Sequence, residues 1–149
     1  MIIKVRVADA ERVYTLEFWH TPPLNPVEMG IRLGGRRRRA TTCRVYAGAV
    51  LGSVEGYEPI GIGMAHCSPE DQFRRSEGRR VALEKALRNV IELQRAKVDA
   101  AGGIRWGVWW SDYWIDDEAF RAVVAGYEAA RSAARSRSLA SALQGALRA

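Results

Sequence analysis

The clearest signal along the chain is a period of two. From Ile2 to Val7 apolar and charged residues alternate, the pattern of a strand with one face in water. Asp9 and Ala10 suit a turn, and Arg12 to Trp19 resumes the alternation with Val13, Leu16 and Phe18 as inward positions after one slip, so the two segments read as a hairpin. Thr41 to Ala47 is a third strand, with Thr42, Arg44 and Tyr46 on one face and Cys43, Val45 and Ala47 on the other. Ile60 to Cys67 is a fourth. It carries Ile60, Ile62, Met64 and His66 on one side and only small residues, Gly61, Gly63, Ala65 and Cys67, on the other. A face of small side chains admits a helix at close range. Between these strands, His20 to Ala40 reads as a long loop, since the prolines in Thr21-Pro22-Pro23-Leu24-Asn25-Pro26 remove donors and fix the backbone. Val50 to Pro59 reads as a hairpin or loop with Gly52 and Gly56.

The second half changes to helical spacing. Ser68-Pro69-Glu70-Asp71 carries a helix-start signal, and a second start follows at Ser76-Glu77. Val81, Leu83, Ala86, Leu87, Val90, Ile91, Leu93 and Val98 keep one apolar face until Gly102-Gly103 ends the helix. Asp116 or Asp117 caps a last helix carrying Phe120, Val123, Val124 and Tyr127. From Ser132 the chain is rich in Ala, Ser and Arg, with Leu139, Leu143 and Leu147 on one narrow stripe. These elements predict an α+β fold: an antiparallel sheet of four to five strands with two helices packed on one face. The strand Ile60 to Cys67 should lie under the helix that begins near Ser76. Residues 1–131 form a single domain in this reading, and 132–149 an Ala/Leu-rich helical tail.

A chain of 149 residues with 48% apolar composition can bury a core without disulfides or metals. No apolar run approaches the ~18 residues of a membrane helix, and the first residues read as a strand, so no membrane partner is expected. Cys43 and Cys67 fit reduced thiols, which points to the cytoplasm, the host cytoplasm if the chain is phage-encoded. The net charge is +6 with a pI near 9.8, and nearly all of the positive charge is arginine, since only Lys4, Lys85 and Lys97 are lysines. Arginine presents a planar fork that matches phosphate oxygens in pairs. GC-rich codon usage raises arginine too, so placement matters more than the total.

Two clusters stand out. Arg36, Arg37, Arg38 and Arg39, with Arg32 and Arg44, make six arginines in thirteen positions beside Gly30, Gly34 and Gly35. Like charges at that density either stay solvated or meet an anion. The second cluster follows Phe73: Arg74, Arg75, Arg79 and Arg80, with Arg75 and Arg79 one turn apart at a helix start. Arginines there oppose the helix dipole, and a bound phosphate would reverse that penalty. Local pairing of Glu70 with Arg74, or of Glu77 with Arg79 or Arg80, would also offset it. Trp106, Trp109, Trp110 and Trp114, with Tyr113, form a dense aromatic segment that reads as core, as an oligomer interface, or as a platform for stacking bases. His20, Cys43, His66 and Cys67 have no zinc-site spacing, so no metal and no cofactor are expected. His66-Cys67-Ser68 supplies only half of a paired two-histidine phosphoesterase signature, and phosphate-loop and nucleophile-elbow motifs are missing. Nothing in the sequence reads as an enzyme.

Three stretches resemble small proteins carried by phages and prophages: Thr41-Thr42-Cys43-Arg44-Val45-Tyr46, Gly63 through Phe73, and Gly78 through Leu87, within a span of about a third of the chain. Within that setting the chain is similar to the Thoeris anti-defence sponges, which sequester cyclic ADP-ribose signals, and in some cases cyclic oligonucleotides, without cleaving them. That resemblance implies a non-enzymatic homo-oligomer with a cyclic nucleotide or cyclic ADP-ribose type ligand, and it carries over no site residue. On the residues themselves, arginines of 36–39 or of 74–80 would hold phosphates, while Phe73, Trp106 or Trp109 would stack on a base. The competing expectation is a nucleic-acid-binding phage protein, or an inhibitor of a host nucleic-acid enzyme.

Overall fold

The structure is a computed structural model that describes residues 1–24, 38–66, 74–100 and 115–148. Four strands run in the order β1 (Ile2–Val7), β2 (Ala10–Leu24), β3 (Arg38–Ala47) and β4 (Gly61–His66), each antiparallel to the next and paired in sequence order. Two helices follow, α1 (Arg75–Ala100) and α2 (Asp117–Arg148). The fold is α+β, with four strands and two helices among the described residues.

Alternation decides which side of the sheet becomes core. Ile3, Val5 and Val7 of β1, Tyr14 and Leu16 of β2, Cys43 and Val45 of β3 and Ala65 of β4 share the buried side, and they join Leu83, Leu87, Val123 and Tyr127 of the helices in one cluster. The alternation of β2 is unbroken: the register Ile3↔Tyr14 and Leu16↔Val45 puts Tyr14, not Val13, inward, with no slip. Counting Tyr as a surface residue hides this, because its ring buries well. The turn also sits one residue earlier than expected. Val7 pairs with Ala10, so Ala8 and Asp9 make the two-residue connection, and Ala8 takes a φ of 52°, a left-handed conformation costly for a residue with a side chain.

The small face of β4 lies under α1, as its composition predicts. A side chain built on Gly63 would meet Ala82 O and Ala86 N of the helix backbone at 2.2 Å each. The proline-bearing stretch departs from expectation. The backbone of β2 continues as strand to Leu24, with Thr21 paired to Ala40 and Leu24 to Arg38 around an irregularity that spans Pro22 and Pro23. Prolines are tolerated there because they fall where the β2–β3 register shifts, between Thr21 and Leu24. The Val50 to Pro59 segment forms no strand. It is tied across the sheet's other side by Thr15, whose Oγ1 donates to Gly48 O at 2.8 Å and accepts from Val50 N at 2.9 Å.

Two polar residues fix the approach to α2. Asp116 is the cap, its Oδ1 accepting from Ala119 N at 2.8 Å. Gln94 of α1, almost fully buried, donates to Ile115 O and accepts from Ile115 N, both at 2.9 Å. Helix α2 buries Ala119, Val123 and Tyr127 and then runs on unbroken through Ser132. Every residue from 132 to 148 is exposed, so the predicted tail is a continuation of the same helix. No helix among the described residues is long and apolar enough to cross a membrane.

Candidate functional site

The antiparallel topology gathers several chain ends at one end of the sheet. Leu24 leaves β2 opposite Arg38, and His66 leaves β4 opposite Ala40. Helix α1 starts there too. At Gly78 it comes so close to β3 that a side chain would strike Thr41 Oγ1 at 2.7 Å. Residues on the helix side of β2 and β3 at this end are therefore roofed by the first turns of α1, and by the middle of α2 where Tyr127 meets Phe18, ring centroids 5.4 Å apart.

His20 sits in this seam, half-buried, with both ring nitrogens engaged. Nδ1 lies 2.8 Å from Thr41 Oγ1, and Nε2 accepts from Arg79 Nε at 3.3 Å. A guanidinium N–H can only donate, so Nε2 carries the lone pair and Nδ1 the hydrogen, which Nδ1 donates to Thr41. Burial lowers the pKa of His20 from its ordinary value, and Arg79 and then Arg75 lower it further. Two guanidinium groups thus act on one imidazole. Arg79 also stands 5.9 Å above the Phe18 ring, near the outer limit of a cation–π contact.

Tyr127 closes the seam from α2. Its hydroxyl is buried without a hydrogen-bond partner, and Arg131 lies near it without closing a well-formed bond. Burial raises its pKa, while Arg131 and Arg79 pull it down. Arg131 is shared with Glu128, 3.8 Å away on the surface of the same helix.

The predicted site residues divide as follows. Arg79 meets His20 directly, exposed Arg75 lies near enough for its charge to act on the ring, and among the described residues neither arginine has a carboxylate within ion-pair distance. Arg80 points elsewhere and pairs with Glu84 at 3.5 Å, not with Glu77. Arg39 is exposed, and its register places it on the helix side of β3, one alternation beyond Thr41. Arg38 opens β3, and its side chain lies outside the described residues, as do Arg36, Arg37, Phe73, Trp106 and Trp109. Cys43 faces the core, where burial pushes its thiol up to about 12, and it is unbridged. His66 projects from the opposite face, and among the described residues no group of three metal-binding side chains forms.

Phe18, His20, Thr41, Tyr127 and Arg131 were not singled out as binding residues by the sequence. His20 drew notice only in a zinc set without site spacing and as the histidine that fails to complete the paired phosphoesterase signature. Its one local signal is a polar residue at an inward position of β2, two residues beyond Phe18. A second polar arrangement occupies the sheet's other face, where Thr15, Thr42 and Tyr46 are buried. Arg44 stacks 4.2 Å above the Trp19 ring, and the cross-strand neighbour Tyr46 donates to Glu17 Oε2 at 3.1 Å. No protein-family model, curated protein or solved structure matches this chain.

Proposed function

We propose that the chain is a non-enzymatic binder that captures and sequesters a phosphate-bearing nucleotide signal, of the cyclic ADP-ribose or cyclic oligonucleotide kind. The setting we propose is that of a phage anti-defence protein acting in the host cytoplasm. The observation that carries this reading is the convergence of Arg75 and Arg79 on His20 with no carboxylate partner among the described residues. Gathered guanidinium groups repel one another, and an anion relieves that repulsion through charge-assisted hydrogen bonds. The start of α1 adds a favourable dipole for negative charge. Phe18, partly buried against Tyr127, borders the same seam and offers apolar ring surface to a nucleobase. Assembly into a homo-oligomer finds support in Leu139, Leu143 and Leu147, which α2 holds 60%, 66% and 86% exposed.

A second reading, a nucleic-acid binder, rests on the other face of the sheet, where Arg44 stacks on the partly exposed Trp19 ring, a cation–aromatic pair of the kind on which bases stack. A melting panel separates the two. The full chain is heated with cyclic ADP-ribose isomers, cyclic dinucleotides, single-stranded DNA and duplex RNA, each at low and moderate salt. Capture of a signal predicts a large rise in Tm with one small ligand that survives moderate salt. Rises with polymers alone, vanishing at moderate salt, select the nucleic-acid reading. No rise with any of them overturns both.

A further inference from the structure

In the seam His20 accepts at Nε2 from Arg79 and donates at Nδ1 to Thr41. The imidazole is therefore locked neutral, and it occupies the Nε–H of Arg79, one of the five donors through which that guanidinium can hold oxoanions. Among the described residues, the charges that act on the ring, Arg79 and Arg75, are positive. The other ionisable groups that the neighbouring elements bring to this side, among the described residues, are Cys43 and Arg39 of β3 and Tyr127 of α2, with Arg131 and Glu128 acting on Tyr127. From β4 the residues on this side are Gly61, Gly63 and Ala65, none of them ionisable, and His66 lies on the other.

We infer that His20 is a proton-operated latch on Arg79: anion capture at this seam takes up one proton at His20 Nε2, releasing Arg79 Nε–H and adding a third donor to the site. This inference rests on the reading of the seam as an anion site. The balance is simple. One proton moves from solvent to Nε2, no bond to carbon changes, and the Nδ1–H to Thr41 bond is kept throughout. The imidazolium Nε2–H cannot face Arg79 Nε–H, since both would be donors, so the guanidinium must turn away. Without an anion, that state sets three cations together and is disfavoured. With an anion bridging Arg75, Arg79 and His20, each donor meets an acceptor. Capture should therefore strengthen as pH falls, by up to about tenfold per pH unit where one full proton is taken up.

The test uses the full chain and sulfate, whose charge is fixed across neutral pH, so that any proton taken up belongs to the protein. Nitrogen-15 NMR of the histidine ring and of the arginine Nε–H groups is recorded from about pH 5 to 8 with and without sulfate, in wild type and in His20→Gln. The expected result has three parts. Sulfate moves the His20 titration upward and protonates Nε2. The Arg79 Nε–H signal shifts in step with it. Sulfate affinity rises as pH falls in wild type and stays level in His20→Gln. If sulfate perturbs Arg75 and Arg79 while the His20 titration stays where it was, the latch is wrong and the anion site stands. If sulfate perturbs none of these residues, the site reading fails and takes the latch with it.

Discussion

Helix α1 meets the sheet through glycine at one crossing and through histidine at another. Over β4 it rests on Gly61 and Gly63, so close that a side chain at Gly63 would lie 2.2 Å from the helix backbone. Over the ends of β2 and β3 the same helix meets His20 and Thr41 through Arg79, in a chain of hydrogen bonds at 2.8 and 3.3 Å. The first contact is dry and specified by shape. The second is polar, only half-buried, and among the described residues its guanidinium groups meet no carboxylate. Both contacts hold the helix down, but among the described residues only the second has donors left over. A contact built to hold a fold satisfies its polar groups internally, and donors in surplus mark the end of the molecule where a partner is expected.

The dry contact should break hardest. Gly63→Val forces a branched side chain into helix backbone and should cost ~3 kcal/mol or more, read as a lowered urea midpoint or as failure to fold. The next largest loss belongs to a buried polar clasp. Gln94→Leu removes both partners of Ile115 and leaves a buried N–H and C=O unpaired, for a loss of about 2–4 kcal/mol in the same measurement.

The polar contact should respond to pH where the dry one does not. The folded pKa of His20 is lowered from 6.5, so the folded protein binds fewer protons than the unfolded chain just below that value. The stability contributed by the neutral ring is present above 6.5 and is lost as pH falls from there toward the lower folded value. Wild type should therefore lose more Tm on going from about pH 7 to 5 than His20→Gln does. Equal slopes in the two proteins would remove His20 from the account.

The smallest effect lies far from either crossing. Ala8→Gly relieves the left-handed turn between β1 and β2 and should add about 1 kcal/mol. It leaves the seam untouched, so a change in ligand response in that variant would mean that stability and binding are not separable.

The dry contact was legible in the sequence because it is written in residue size. Gly61, Gly63 and Ala65 alternate with Ile62 and Met64, and only a helix fits over such a face. The caps at Asp116 and the apolar stripe of α1 were legible for similar reasons, since each depends on residues near one another in the chain. The path of β2 through Pro22 and Pro23 was not. Proline is accommodated there by a register shift in the pairing with β3, a fact about a neighbouring strand. The polar seam was half legible. The spacing of Arg75 and Arg79 placed them on one helix face, and Glu84 four residues after Arg80 marks Arg80 as locally paired, but nothing local shows what Arg79 meets. Their difference arises from what each meets: Arg80 finds Glu84 one turn on, while Arg79 finds His20, fifty-nine residues away in the chain. His20 and Tyr127 acquire their roles only when β2, α1 and α2 are brought together.

That contrast between neighbouring arginines gives the most direct measurement. Arg79→Glu and Arg80→Glu are titrated side by side with the small ligand that shifts wild-type Tm most, at moderate salt. The two variants carry the same change in net charge, so any long-range effect is common to both. Loss of the shift in Arg79→Glu with its retention in Arg80→Glu is the result expected of an anion held at His20. Equal loss in both, or retention in both, would contradict it.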